Sequence, residues 1–257
     1  MLQEGTVPGT GPLPLLDRPF LKAARRNRTI LIGCAIILVY ILLGLLAPLI
    51  APYSPTAQHL PEGRLLKPSW EHWCGTDDLG RDVLSRLRYG TRISLPVSFL
   101  SVALALLAGG LIGVVAGYYG GRLDNVLMRL LDVLLAFPSI LLAILIVAVL
   151  GPNLMNAMLA IGIVNIPGYA RLARATALTL KHQEYIEAAV ACGSTPSTII
   201  ARHIVPNSLS PLVVQGTLGL GGAILEIAGL SFLGLGAQPP APEWGSMLSN
   251  AQQYMQT

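Results

Sequence analysis

Long uninterrupted apolar segments alternate along this chain with short polar ones, and this pattern predicts its architecture. A helix that crosses a bilayer needs about 20 mainly apolar residues. Four segments meet that requirement, and a shorter apolar run at 154–166 continues with helical periodicity toward Ala177. The four are residues 29–51, 95–118, 127–150 and 209–235. Because these runs are continuous rather than alternating, they predict an all-α polytopic transmembrane protein with five spans.

Composition supports a membrane protein. Of 257 residues, 53% are hydrophobic and only 12% are charged, about half the charged fraction of an ordinary soluble domain. The net charge of +4 is not interpreted as a sign of nucleic-acid binding. Basic residues before the first span instead favour a cytoplasmic N-terminal tail, residues 1–28. These basic residues are Arg18, Lys22, Arg25, Arg26 and Arg28.

The parity of the spans then predicts the topology. With the tail inside, residues 52–94 form a periplasmic loop, the third and fourth spans form a hairpin, and residues 181–207 are cytoplasmic. The loop at 52–94 carries six Lys or Arg residues, which opposes this orientation, although long loops weigh less than short ones. No Lys or Arg follows the fifth span, which favours it.

The periplasmic loop is expected to contain an amphipathic helix that lies on the membrane before the second span. Thr76 is suited to cap this helix, with aspartates in its first turn. Asp77 with Arg81, and Asp82 with Arg86, have the spacing of ion pairs along one helix face.

Glycines recur at every fourth position in the second span, at Gly109, Gly113 and Gly117. Small residues at this spacing allow two helices to approach closely in lipid. The pattern predicts tight helix packing and carries no chemistry.

Signatures of enzymes are missing from the sequence. It contains no GxxxxGK[ST] phosphate loop, no HExxH and no GxSxG, so the chain is not expected to be an enzyme or to bind ATP itself. Cys34, Cys74 and Cys192 are scattered without ligand spacing, and no metal site is predicted.

Two acids lie within the apolar spans and are candidates for the substrate pathway, because charges at such depth usually face a cavity or a partner. Glu226 lies in the fifth span, either as a wall of the pathway that meets a cationic group or as a hydrogen-bonded structural acid. Asp132 lies near the inner end of the third span, where a local pair with Arg129 is favoured.

The polar segment between the fourth and fifth spans predicts two short helices with a sharp turn. The pattern is helical from Lys181, and Gly193 suits a C-cap in the left-handed conformation. Ser194 or Thr195 can cap a second helix with Pro196 at its first position, and this helix is expected to end before Pro206. Small residues on the first helix would let a partner surface approach closely.

The stretch EAAVACGSTPSTIIARHIVPN resembles the EAA loop of ATP-binding-cassette importer permeases. In that pattern, EAA is followed by three residues, a glycine and a hydrophobic segment that ends in proline. Val205 stands where leucine is commoner. The resemblance places an ATPase-coupling site in the EAA loop, residues 181–207, at Glu187, Ala188, Ala189, Gly193, Ile204 and Pro206.

Three more stretches extend the resemblance to the second permease subunit of dipeptide, oligopeptide, nickel and glutathione importers. They are GTDDLGRDVLSR, AGYYGGRLDNVLMRLLDVLLAFPS and LSFLGLGAQPPAPEWGSML. The resemblance implies a type I ABC importer permease fold, with its core at 95–257, in the bacterial cytoplasmic membrane. The family usually has a sixth span after the last of these stretches, and this chain ends at Thr257.

The resemblance also implies the partners. These are a homologous second permease, two cytoplasmic ATPase subunits that hold ATP and Mg, and an extracytoplasmic substrate-binding protein, whereas this chain itself needs no cofactor. Closure of the ATPases would push the EAA loop and switch the pathway between its two faces. A proton-coupled secondary transporter, suggested by two acids on different spans, and a channel subunit remain as alternatives.

Overall fold

The computed structural model describes residues 28–58 and 63–254, and regular structure among them is helical apart from one isolated bridge between Thr76 and Asp82. The predicted cytoplasmic tail therefore lies outside the described residues except for Arg28. The helices are α1 (Arg28–Ile50), α2 (Val83–Tyr119), α3 (Gly121–Leu135), α4 (Ser139–Leu150), α5 (Leu154–Lys181), α6 (Glu184–Ala191), α7 (Pro196–Ile199), α8 (Val205–Phe232) and α9 (Trp244–Gln252).

Three helical segments of the described part are long and apolar enough to cross a membrane, and the number rises to four if α3 and α4 together form one span. The three are Leu31–Ile50, Val83–Tyr119 and Pro196–Phe232. Helix α5 has sufficient length at 28 residues, but its asparagines and arginines lower its hydropathy and it is not among them. The five-span count therefore stays a prediction.

The predicted continuous span at 127–150 is wrong, because this segment is broken into α3 and α4 with a bend of 88° between them. Helix α3 ends at Leu135, and Pro138 precedes the first residue of α4. Proline disfavours helical geometry at the residue before it, which explains a break at Phe137. An apolar run alone does not reveal such a bend, since Phe137 and its neighbours are apolar too.

The prediction of a separate amphipathic helix in the periplasmic loop is also wrong. Helix α2 begins only at Val83 and runs without a break through the predicted second span. Thr76 does not cap it: its Oγ1 donates to the Gly63 carbonyl at 2.5 Å and accepts from Leu66 N at 2.8 Å. The cap is Asp82, whose carboxylate accepts from Ser85 N at 2.7 Å.

Of the two ion pairs predicted in this loop, one is present. Arg81 Nε lies 2.6 Å from Asp77 Oδ2, as the spacing predicts. The pair between Asp82 and Arg86 is absent, because Asp82 lies before the helix. Asp82 Oδ1 instead lies 2.9 Å from His72 Nδ1. Arg86 Nε lies 3.5 Å from Asp77 Oδ2.

The core of the fold forms where α2 packs on α5, and α8 contacts both helices. A Cβ at Gly109 would lie 2.6 Å from the Ile166 carbonyl oxygen, and one at Gly117 would lie 2.7 Å from that of Arg174. At Gly113 the carbonyl of Ala170 is closer still. The predicted close packing through this glycine row is therefore confirmed.

The second helix of the EAA loop does not end before Pro206, contrary to prediction. A π-helical turn over Ile200–Ile204 connects α7 to α8, so that one helical rod runs from Pro196 to Phe232. Val205 N donates to the Ile200 carbonyl, five residues back. This wider turn changes the backbone spacing in front of Pro206, whose ring would clash with the carbonyl four residues earlier in a regular α-helix.

Candidate functional site

The sharp turn at the centre of the EAA loop is built by backbone hydrogen bonds around a left-handed glycine. Gly193 has φ of +80°, and its N–H donates to Val190 O at 2.9 Å while Ser194 N donates to Ala189 O at 3.0 Å. This pair of bonds is the Schellman arrangement that ends a helix at glycine. The predicted C-cap is confirmed.

The helix after the turn begins as the sequence indicates. Thr195 has extended backbone and its Oγ1 accepts from Thr198 N at 3.4 Å, with Pro196 as the first helical residue. Of the two candidates, Thr195 rather than Ser194 is the cap. The EAA loop is therefore two capped helices joined by a hydrogen-bonded turn rather than an irregular connection.

Three isoleucines hold the EAA loop against the rest of the protein. Ile186 on α6 and Ile199 on α7 are each 1% exposed, and Ile204 in the π turn is fully buried. All three belong to the cluster that includes Ala173 and Ala177 of α5. Buried side chains therefore fix both helices of the loop against the rest of the protein.

The predicted coupling residues divide between the surface and the interior. Glu187, Ala188 and Gly193 are exposed, and Ala189 is half-buried. They therefore leave a charge and small side chains accessible at the surface of the chain. Ile204 is fully buried and leaves no surface that a partner could contact. Pro206, the last of the predicted residues, is half-buried, and Cys192, which was not predicted, is exposed beside Gly193.

Glu226, predicted in the pathway, is half-buried and meets an amide. Asn165 Nδ2 on α5 lies 3.0 Å from Glu226 Oε2 on α8 and also donates to Ile161 O at 3.0 Å. No cationic side chain is paired with Glu226 among the described ion pairs. Asn165 was not among the predicted site residues, although an amide within an apolar run can be recognised in the sequence.

Asp132 does not pair with Arg129, so the local pair predicted for it is wrong. Its Oδ1 lies 2.7 Å from Arg171 Nη2 on α5, and both side chains are more than half exposed. The partner is 39 residues away along the chain, which local spacing could not reveal. Asp132 is therefore exposed where α3 meets α5. Glu226 lies elsewhere, where α8 meets α5.

A second link between α3 and α5 was not predicted at all. Asp124, which is buried, binds the guanidinium of Arg174 through two bonds of 2.5 and 2.6 Å. Arg174 lies seven residues before the end of α5 at Lys181. This ion pair therefore fixes the start of α3 near the EAA loop.

The segment that follows α8 packs against the N-terminal part of α2. Glu243 is 1% exposed and caps α9 by accepting from Ser246 N at 2.9 Å. Trp244 Nε1 donates to the Leu87 carbonyl at 3.1 Å, and its ring leaves no room for a side chain at Gly90. The contacts of Trp244 join the start of α9 to α2.

Comparison with known proteins identifies the family. Residues 109–257 match the family described as binding-protein-dependent transport system inner membrane component. Residues 18–68 match the N-terminal transmembrane domain of oligopeptide transport permease C. The first match alone extends over more than half of the chain.

Curated relatives agree with these matches. A dipeptide transport system permease protein of Alkalihalophilus pseudofirmus is 51% identical over 93% of this chain and 79% of its own length. Its counterpart in Haemophilus influenzae is 46% identical over 90% and 80%. A glutathione transport system permease protein of Pectobacterium atrosepticum is 43% identical over 93% and 79%.

Matches of this identity and coverage extend through the apolar helices and the EAA loop alike. The chain therefore belongs to the binding-protein-dependent transport system inner membrane components, the multi-pass permease subunits of ATP-binding-cassette importers.

Proposed function

We propose that this permease carries di- or oligopeptides inward and is driven by cytoplasmic ATPases that dock on the EAA loop. The observation that carries the proposal is the construction of that loop: two capped helices, held by three buried isoleucines, with an exposed face of small side chains. Two ATPases, a homologous second permease and an extracytoplasmic binding protein complete the transporter.

Coupling follows from the rigidity of the EAA loop. A partner that presses on Ala188 moves α6, and the buried side chain of Ile186 transmits that displacement to α5. Ile199 and Ile204 transmit it to α8. Since packed helices move as rigid bodies between discrete arrangements, closure of the ATPases would switch the helices that line the pathway.

The orientation is part of the proposal. The N-terminal tail and the EAA loop lie on the cytoplasmic side, with residues 52–82 outside. The chain crosses the membrane through α1, α2, α5 and α8, and α4 with the residues on either side of it returns the chain from the cytoplasmic end of α2 to the outer end of α5. The ATP and Mg that drive the cycle are held by the ATPase subunits.

Peptide is the favoured substrate because relatives named for dipeptide transport match most of the chain. Glu226 would serve such a substrate by attracting its terminal ammonium group in a half-buried setting, where a charge is weakly screened. Asn165 holds the carboxylate in place and leaves one oxygen free.

Native cysteines provide a direct test of docking. Cys192 lies exposed in the EAA loop, and Cys74 is exposed in the outer loop. In membranes that contain the assembled transporter, Cys192 should cross-link to an ATPase subunit that carries an engineered cysteine in its groove, whereas Cys74 should not. Equal cross-linking at both sites, or none at Cys192, would refute docking on this loop.

Gly193→Pro tests coupling. Proline cannot adopt φ of +80°, so the C-cap is lost. Insertion should be unchanged and ATP-coupled uptake abolished. Uptake that persists in this variant contradicts the proposal, and uptake that follows the proton gradient without any ATPase would identify a secondary transporter. A channel subunit would require neither ATP nor a binding protein.

A further inference from the structure

Helix α3 exposes an apolar face that nothing in the described chain covers. Its side chains are between 43% and 63% exposed and recur at alternating intervals of three and four residues, which places them on one side of the helix. The opposite side packs inward through Asp124 and Leu131. The exposed apolar face consists of Leu123, Val126, Leu130 and Val133.

Two arginines border this apolar face. Arg122 and Arg129 are exposed and precede Val126 and Val133 by four residues, so that each lies beside one of these valines on the helix surface. Neither arginine takes part in an ion pair among the described residues, in contrast to Arg171 and Arg174 on α5.

Arg129 also borders a cavity of about 460 Å³ between α3 and α5, lined by Arg171 and Arg174 as well. Three arginines and Asp132 line this cavity. Asp132 pairs with Arg171 and Asp124 pairs with Arg174, so Arg129 leaves the region with a net positive charge. A basic cavity between helices at a membrane surface has the chemistry that binds anionic lipid headgroups.

The direction of α3 shows which surface it faces. Helix α4 has 12 residues, which is about 18 Å, so it returns the chain across a hydrocarbon core of about 30 Å together with the three-residue connections at its two ends. It packs on α5 and is joined to it by three residues. Since α3 is bent 88° away from α4, α3 lies nearly perpendicular to a helix that follows the membrane-crossing direction.

An ion pair at the start of α3 shows which end of the molecule this helix occupies. Asp124 binds Arg174, near the end of α5 that leads into the EAA loop. Helix α3 is thus at the same end of the molecule as that loop, which the proposed orientation assigns to the cytoplasm.

We propose that α3 does not cross the membrane but lies along its cytoplasmic surface, bound to anionic phospholipid. Leu123, Val126, Leu130 and Val133 insert among the acyl chains, and Arg122 and Arg129 bind lipid phosphates. A helix with one apolar face and bordering cations binds an anionic bilayer in this manner. The cytoplasmic assignment rests on the proposed function, whereas the in-plane orientation rests on the bend and the apolar face.

Spin-label depth measurements test the orientation in the assembled transporter. With Cys34, Cys74 and Cys192 replaced by serine, single labelled cysteines are placed at Leu123, Val126, Leu130 and Val133, and at Asn125 as the polar-face control. Labels at 123 and 133, about 15 Å apart along the helix, should report the same depth with high oxygen accessibility. The label at 125 should favour the water-soluble relaxation agent.

Two other results would overturn the proposal. Depth that changes steadily from 123 to 133 indicates a helix that crosses the membrane. Exclusion of both oxygen and the water-soluble agent at all four apolar positions indicates that a helix of the second permease covers the face. The depth profile requires neither ATP nor substrate, so its outcome is independent of peptide uptake measured in the same vesicles.

The charge contribution is tested with R122Q/R129Q, compared with R122K/R129K and with K67Q in the exposed outer loop. Native mass spectrometry of the transporter from vesicles of phosphatidylcholine and phosphatidylglycerol measures retained lipid. Affinity for phosphatidylglycerol should fall roughly fivefold for each arginine removed, and stay unchanged in R122K/R129K and in K67Q. Equal retention by R122Q/R129Q and the controls would refute binding of headgroups by these arginines.

Discussion

Asp124 and Arg174 join α3 to α5 through a two-bond ion pair, with Oδ1 2.5 Å from Nε and Oδ2 2.6 Å from Nη2. The same two helices share a second pair, in which Asp132 contacts Arg171 through one bond of 2.7 Å. The first aspartate is buried, and the second is more than half exposed. Two pairs of the same chemistry therefore differ only in geometry and burial.

Asp124→Asn should destabilise the protein, and Asp132→Asn should not. The first substitution removes a charge-assisted pair at a buried position and should lower the free energy of unfolding by about 2 kcal/mol. The second removes an exposed pair and should change it by less than about 0.5 kcal/mol. Unfolding in mixed micelles, followed by tryptophan fluorescence, measures both. Equal losses would show that burial of Asp124 contributes nothing.

Gly113→Ala should disrupt the packing of α2 on α5. The added Cβ would meet the carbonyl of Ala170 and lie 2.7 Å from the Cβ of Ala173, so the helices must separate. Gly222→Ala in α8 is the control, because no atom lies within 4 Å of the added group. The first variant should lose roughly 1–3 kcal/mol of stability, and the second should gain a few tenths from helix propensity. Tolerance of both would contradict the close approach.

Asp82 should make stability depend on pH at the outer end of α2. Burial opposes its ionisation, but hydrogen bonds from Ser85 and His72 outweigh burial and hold the pKa of Asp82 below its ordinary value of 3.8. A group with a lowered folded pKa stabilises the protein above the unfolded value and loses that contribution as pH falls through the folded one. The contribution is therefore complete at neutral pH and declines below about pH 4.

Asp82→Asn isolates this effect, because asparagine caps a helix about as well as aspartate. The variant should lose about 1 kcal/mol at neutral pH, and the difference from the native chain should shrink in acid. Urea unfolding of both chains over a pH series measures that difference. A difference that stays constant into acid would contradict a charged Asp82.

Glu226→Gln should weaken transport of peptides with a free terminal ammonium group. Loss of one charge-assisted contact should raise KM roughly tenfold, while N-acetylated peptides should be transported as before. Uptake into vesicles, corrected for the amount of inserted protein, measures the ratio of the two KM values. An unchanged ratio would assign Glu226 a structural role with Asn165.

Local features of this protein follow from the sequence because their causes are local. The caps at Gly193 and Thr195 depend on residues within one helical turn, and the pair of Asp77 with Arg81 is separated by four positions. The glycine row from 109 to 117 predicts close packing, since small side chains act wherever the partner helix lies. The EAA loop could accordingly be predicted almost to its caps.

Other features depend on residues far apart along the chain. Helix α2 begins at Val83 rather than after Thr76, because the Thr76 hydroxyl is hydrogen-bonded to Gly63 and Leu66 and does not cap a helix. Pro206 did not end the rod, because a π turn accommodates it.

What the sequence determines is the apolar length of each segment, the capped turn of the EAA loop and the family. What only the tertiary structure decides is direction and partnership: α3 turns 88° from α4, and Asp132 selects Arg171 over Arg129. The physical reason is that hydropathy and spacing act within a segment, whereas bends and ion pairs between helices depend on which segments pack together.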